Sequence, residues 1–393
     1  MHSRTATAPI VVLLATLLAA CGDSTGPSGG AAAAAIAIGS AHICQIQGAS
    51  TTCWGPNDLG QLGTGNTASA SSRATVTGGH RFVTIAAGPD HTCAVDDDGV
   101  AWCWGSDLAG ELGIGALQDS SCDGIPCQPQ PVPVATDVRF TALAAGLSFT
   151  CGLSVEGDVR CWGLNDEDQL GTDVTTDTCE SVRCSRTPVI AAGGTHFSRI
   201  TAGKSHACAL TAGGQAWCWG YDASDDAARH RGEPASPEPA PVGDRHFTAI
   251  AAGGFHTCAL DADGAAWCWG VDALGAGNSI LLTAEPVRVA GGHAFRQIVS
   301  GRLTSCGVDM NGAGFCWGAN IDGAIGAGSD GDASYYAPEP VSGGLHFSSL
   351  AGGASNHCGV TDSGTLMCWG RGDEGQLLNG HQDSSVPVEI IPE

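Results

Sequence analysis

The tripeptide Cys-Trp-Gly occurs seven times, at Cys53, Cys103, Cys161, Cys218, Cys268, Cys316 and Cys368. Each copy follows a second cysteine, at Cys44, Cys93, Cys151, Cys208, Cys258, Cys306 and Cys358. The separation is nine residues in the first pair and ten in the other six, and successive copies lie 48 to 58 residues apart. A period of that size marks a repeat architecture, in which a unit too small to bury its own apolar face stacks on its neighbours.

If Cys93 faces Cys103 across an antiparallel hairpin, Val95 faces Ala101 and the loop reduces to Asp97-Asp98-Gly99. A three-residue loop of this kind ends in a left-handed residue, which glycine adopts without strain. The same register puts Gly157, Gly214, Gly264, Gly312 and Gly364 at that position. In the first unit the pair is one residue closer, and the loop shrinks to Gly48-Ala49 with glycine leading, as a II′ turn requires. Seven hairpins, each stapled by a cross-strand disulfide, are expected. Free buried thiols are the alternative in a reducing compartment. Zinc fits less well, because one pair offers two of the four ligands a structural site needs.

The N-terminus bears on compartment. Arg4 precedes a short apolar run, Ile10 to Leu18, and Leu18-Ala19-Ala20-Cys21 resembles the lipobox of bacterial lipoproteins. The expectation is a signal peptide over 1–20, an acyl chain on Cys21 and a flexible tether over 21–35 rich in Gly, Ser and Ala. A secretory peptide with Cys21 left as a free thiol is the alternative. Cysteine counting favours the lipid: fourteen hairpin cysteines and four in the loops Cys122–Cys127 and Cys179–Cys184 leave Cys21 alone among nineteen. Gly22 after Cys21 favours the outer membrane or cell surface over inner-membrane retention.

From residue 36 to 393 the unit repeats as an apolar strand ending in glycine (Phe82 to Gly88), a hairpin, a glycine-rich connection and a Pro-Val strand. Short strands punctuated by Gly and Pro leave no room for long helices. Trp102 and Trp104 point to one side of their strand and Cys103 to the other, and both sides call for burial. A sheet sandwiched between sheets satisfies that. The expected fold is all-β, a seven-bladed propeller of four-stranded antiparallel blades. Pro-Val recurs in six units, beginning at Pro131, Pro188, Pro241, Pro286, Pro340 and Pro387. The strand Val386 to Ile391 is therefore expected to complete the first blade and hydrogen-bond the ring shut, removing the exposed edges.

The segments Ile250-Ala-Ala-Gly253, His256-Thr-Cys-Ala-Leu260, Gly264, Trp269-Gly270 and Gly60-Gln-Leu-Gly63 resemble the motifs of the regulator-of-chromosome-condensation repeat family. The resemblance covers essentially all of 36–393 and implies a seven-bladed propeller. Gly-Gln-Leu-Gly is absent from the fourth unit, and the repeat histidine becomes Phe149, Thr304 and Asn356 in three units. The family's founding role combines chromatin binding with nucleotide exchange on a small GTPase. A net charge of −24 would be repelled by DNA, and an exported chain does not meet a cytosolic GTPase. That function is set aside, since fold does not carry function.

No nucleophile with a base and no phosphate loop is present, so no catalytic residue, cofactor or metal is assigned. His42, His91, His206 and His256 recur with the repeat and read as structural rather than as a metal ring. The acidic turns Asp96–Gly99 and Asp261–Gly264 lack the distal glutamate of a calcium loop and read as turn chemistry. The ten tryptophans read as core. Arg229-His-Arg231 is a rare basic spot. The two disulfide-pinned loops fall between the Trp-Gly and the Pro-Val strand of adjacent units, hence on one face. Asp123, Ile125, Glu180 and Arg183 are their candidate binding residues. The expected function is a non-enzymatic, monomeric scaffold on the cell envelope that binds an envelope or extracellular protein or glycan. Its only membrane contact would be the N-terminal lipid, and it would take no nucleic acid. A secreted propeller-type enzyme inhibitor and a glycan-acting enzyme using loop carboxylates are the alternatives.

Overall fold

The computed structural model describes residues 35–391, apart from 116–119, 174–176, 180, 192, 222–237, 272–273, 280–281 and 330. Seven antiparallel sheets succeed one another along the chain, each with its four main strands in sequence order. They are the blades of a seven-bladed propeller. Blade 1 comprises Ala35–Ile38, Ile43–Gln47, Ser50–Gly55 and Ala70–Thr75. Blades 2 and 3 carry an extra short strand, Ser121–Cys122 and Asp177–Cys179, which folds the pinned loops into small hairpins beside the fourth strand.

The hairpin register is the expected one. Cys93 stands opposite Cys103 and Val95 opposite Ala101. Gly99 sits at φ +79° and donates its N–H to the Asp96 carbonyl at 3.0 Å. All seven hairpin disulfides are formed, with Cα atoms 4.0–4.1 Å apart. That is close to the separation of a directly opposed, non-hydrogen-bonded pair. Cys122–Cys127 and Cys179–Cys184 are bridged as well. Nine disulfides imply folding in an oxidising environment. Among the described residues no helix is long and apolar enough to cross a membrane.

The apolar core is divided into seven seams, one between each pair of neighbouring blades. In the first seam Cys44, Cys53 and Leu62 of blade 1 pack against Phe82, Ala94 and Trp104 of blade 2. Each disulfide thus lies against the next blade's tryptophan, which explains why both sides of one strand are buried. Trp104 Nε1 donates to the Gln61 carbonyl of blade 1 at 2.9 Å. Trp54, Trp162, Trp219 and Trp369 make the same bond to Gln376, Glu111, Gln169 and Ala324 of the preceding blade. Gly-Gln-Leu-Gly is therefore a seam motif. Its last glycine, Gly63, has φ +68°, and a Cβ there would stand 2.8 Å from Trp104 Nε1.

Ring closure differs from the expectation. The last strand, Ser384–Glu389, pairs with Leu366–Gly370 inside blade 7, and blade 1 supplies its own fourth strand. The seventh seam closes the ring by packing: Cys358, Cys368 and Leu377 of blade 7 bury against Ile38, Ile43 and Trp54 of blade 1. The Arg73 guanidinium adds a hydrogen bond to the Ile390 carbonyl and lies 5.3 Å from the Trp54 ring centre. A fourth strand is outermost and half exposed, so Ala70–Thr75 (Ala-Ser-Ser-Arg-Ala-Thr) is a strand without a Pro-Val signature. Its polar sequence made blade 1 look incomplete.

Candidate binding face

The first strand of every blade lines a central channel and ends at its mouth in Gly39, Gly88, Gly146, Gly203, Gly253, Gly301 and Gly353. Because strands alternate in direction, the connections between strands 1 and 2 and between strands 3 and 4 open on this mouth face. The hairpin turns lie on the other, the turn face.

The residues after those glycines form a hydrogen-bonded rim. Ser40 N–H donates to the Pro89 carbonyl, Leu147 to Lys204, Lys204 to Gly254, Gly254 to Arg302 and Arg302 to Ala354, at 2.9–3.4 Å. Each bond crosses from one blade to the next, so the rim is rigid and its side chains stand in fixed order. They surround a cavity of about 490 Å³. Lys204 and Arg302 line it, as does Arg371, which opens the third-to-fourth connection of blade 7. Arg371 is already paired with Asp373 at 2.7 Å and Glu374 at 2.6 Å. Lys204 Nζ stands 5.0 Å from the Phe255 ring centre, a cation–π contact. Beside the rim, burial and the nearby Glu374 push the Asp90 carboxyl up. A second cavity of about 180 Å³ between blades 6 and 7 shares Arg302 and Arg371 and adds Ile321 and Asp322.

The pinned hairpins lie on this same face, at its periphery. Ile125 and Val182 at their tips are exposed, as are Leu108 and, lining the channel cavity, Leu147. Asp123 is exposed at φ +50°, and Arg183 donates to Asp168 at 2.7 Å, which ties the blade 3 hairpin to the seam loop of its own blade. Asp123 and Ile125 are therefore on adjacent blades to Arg183, as expected. Glu180, Cys21 and Arg229-His-Arg231 lie outside the described residues.

The repeat histidines point into the seams. His42 Nε2 meets Thr92 Oγ1 at 2.8 Å, His91 meets Thr150 at 3.0 Å, His206 meets Thr257 at 3.0 Å and His256 meets the Ser305 hydroxyl at 2.7 Å. Burial lowers the pKa of His42 and His256 to about 4 and of His91 to about 3, so they are neutral bridges between blades. Two of the three departures follow the same logic, and Asn356 does not. Phe149 faces a blade whose matching position is Ala207, and Thr304 meets His357 at 3.3 Å with the roles exchanged. Asn356, facing a blade with Ile43 there, is buried with its amide unpartnered among the described residues. The acidic turns are also accounted for: Asp96 accepts the N–H groups of Asp98 and Val100 and the Trp102 indole, and Asp261 repeats the pattern with Asp263, Ala265 and Trp267.

The RCC1-like domain model matches residues 50–393. The chain belongs to the RCC1-like domain family. Yeast RCC1 (Prp20), solved bound to Kap60, superposes with a TM-score of 0.74 at 22% identity, covering 88% of this chain and 84% of that one. The ectodomain of the Physcomitrella patens receptor kinase CR4 gives 0.54 at 20% identity, covering 86% of this chain and 73% of that one. Both show the fold alone. The ultraviolet-B receptor UVR8 of Arabidopsis thaliana is 29% identical over 192 residues, 47% of this chain and 41% of that protein. The human E3 ubiquitin-protein ligase HERC2 is 30% identical over 184 residues, 45% of this chain and 4% of that protein. This RCC1-like chain thus spans less than half the length of the curated relatives it matches.

Sequence reasoning found the pinned loops and missed the rim. A signal existed: the residue after each first-strand glycine varies as Ser40, Pro89, Leu147, Lys204, Gly254, Arg302 and Ala354, and one of them is the chain's sole lysine.

Proposed function

We propose that the chain is a non-enzymatic, exported scaffold that binds a protein partner on its mouth face. The observation that carries this is the contrast between faces. The channel cavity and both pinned hairpins open on the mouth face, whereas exposed apolar side chains stand on both faces, Ile125 and Val182 here and Val155 and Met310 on the turn face. Loops pinned by disulfides lose little entropy on docking. Family precedent supports a protein partner: one RCC1 propeller was solved with Kap60, and its binding to Gsp1p and histones has been described. An acyl anchor on Cys21 belongs to the same reading, and the mass of the N-terminal peptide from a membrane fraction tests it. Unmodified Cys21 would discard the anchor.

The test is capture from extracellular and envelope fractions on immobilised oxidised protein. Three baits are compared: wild type, Ile125→Ser with Val182→Ser on the mouth face, and Val155→Ser with Met310→Ser on the turn face. A partner retained by the turn-face variant and lost by the mouth-face variant is expected. Loss with the turn-face variant alone would reverse the assignment. An enzyme captured and stoichiometrically blocked would make the scaffold an inhibitor.

A further inference from the structure

Of 16 basic residues in a chain of net charge −24, two stand almost side by side on the rim, with only Gly254 between them in the ring of backbone bonds. Among the described residues neither Lys204 nor Arg302 has a carboxylate partner. Gly254 keeps the gap open: a Cβ there would come within 2.6 Å of the Arg302 carbonyl and 3.0 Å of its Cγ. Phe255 holds the lysine head from one side, and Leu147, the ring neighbour on the other side, is 40% exposed. The rim N–H groups of Lys204, Gly254 and Arg302 are already donated to neighbouring blades, so recognition here falls to side chains.

The geometry points to a binding site for a short acidic segment of a protein, whose carboxylates sit between Lys204 and Arg302 while its apolar side chains rest on Phe255 and Leu147. This names the partner's chemistry for the scaffold reading above and rests on it. A nucleic acid or a uronic-acid polymer carries charge on every unit. Such a chain would run on from these two cations over Asp90, Asp322, Asp373 and Glu374 around the rest of the mouth and be repelled. A peptide concentrates its carboxylates in one place. An aromatic ring and an arginine at the centre of a face are also what protein interfaces use as anchors. The net charge disfavours any anion, so binding of one would report the rim rather than the overall field.

The probe is a fluorescein-labelled hexaglutamate peptide, followed by anisotropy at about 50 mM salt, where the Debye length exceeds ~10 Å. Hexaglutamine and an oligogalacturonate of similar length serve as comparison ligands. Hexaglutamate is expected to bind at least tenfold tighter than either and to weaken as salt rises. The variant Lys204→Glu with Arg302→Glu is expected to lose binding, while Arg81→Glu, an exposed charge on the turn face, is expected to keep it. Both substituted rim side chains reach the channel, and an unchanged thermal midpoint confirms that the fold is intact. Equal binding of the two peptides, or equal binding by wild type and the rim variant, overturns the inference. Tighter oligogalacturonate binding assigns the site to a glycan and overturns the peptide claim. If capture succeeds on the mouth face while hexaglutamate fails, this inference falls and the scaffold reading stands.

Discussion

The seam between blades 1 and 2 and the seam between blades 3 and 4 solve the same packing problem with different chemistry. Both press a disulfide of one blade against the tryptophan of the next, and both give that indole a backbone acceptor, Gln61 for Trp104 and Gln169 for Trp219. At the inner end they part. The first seam joins His42 to Thr92, whereas the other packs Phe149 in a blade whose neighbour carries Ala207. In these two seams a polar group is met by a polar group and an apolar one by an apolar one, because an unpaired buried donor costs about 1–3 kcal/mol; the seam between blades 7 and 1, where Asn356 faces Ile43, is the exception. The repeat histidine is thus determined by its neighbour across the seam. Ligand chemistry has to be sought where neighbours impose no such match, and the rim is such a place.

Acid separates the two seam types most strongly. An unfolded histidine takes up a proton near pH 6.5, while the buried His42, His91, His256 and His357 resist until about pH 3 to 4. The unfolded state therefore binds more protons across that window, and stability falls as pH drops from about 6.5 toward 4. Asp107 and Glu111, whose carboxyls burial pushes up, work in the opposite direction, as do Asp90 and Asp322. With these four seam histidines held neutral in the native state, a net loss on the order of several kcal/mol is expected between pH 7 and 4.5, read as a lower urea midpoint. A flat profile would mean that the histidines are hydrated in solution. Next in size is the part the seams share. Trp104→Ala and Trp219→Ala should each cost about 3–5 kcal/mol, and nearly equally. A much smaller loss at Trp219 would show that the apolar seam relaxes where the polar one cannot.

The match across a seam explains what could be read from the chain. A cross-strand cysteine pair fixes register over its whole hairpin, so Cys93 opposite Cys103 also gave Val95 opposite Ala101 and the left-handed Gly99. Burial on both sides of the Trp-Cys-Trp strand pointed to stacked blades. The outer strand obeys no such rule: Ala70–Thr75 faces solvent, carries no apolar pattern, and its invisibility produced the wrong closure. The seam partners were hidden too, because Thr92 lies 50 residues from His42 and nothing local links them. The rim failed for the same reason, since Lys204 and Arg302 become neighbours only when blades 4, 5 and 6 are placed in a ring.

Removing one half of a seam pair should cost less than removing a tryptophan. Thr92→Val leaves His42 without its hydroxyl and should destabilise by about 1–3 kcal/mol. Replacing both halves, His42→Phe with Thr92→Ala, copies the Phe149–Ala207 arrangement. It should recover about 1 kcal/mol relative to the sum of the single changes in a double-mutant cycle, and it should shallow the acid profile by one histidine. Strict additivity would argue that the two positions do not select each other.

A further contrast is expected where one seam uses carboxylates in place of amides. Asn57 and Gln61 brace the blade 1 loop, with Asn57 Oδ1 accepting from Leu62 N–H at 2.9 Å and Gln61 Oε1 from Leu59 N–H at 3.0 Å. In blade 2 the same bonds are made by Asp107 to Leu112 N–H at 3.2 Å and Glu111 to Ala109 N–H at 2.7 Å. Burial, with Glu111 nearby, raises Asp107 to about 7. Native Asp107 keeps its proton to near neutrality while the unfolded one releases it near 3.8, so its contribution to stability falls as pH rises through that window. Asp107→Asn keeps the acceptor and removes the titration. The variant should match wild type near pH 4 and exceed it by on the order of 1 kcal/mol or more above pH 7. Loss of stability at pH 8 would instead show that the Asp107–Arg186 pair holds the blade 3 strand in place, and that this seam depends on charge where its neighbour depends on amides.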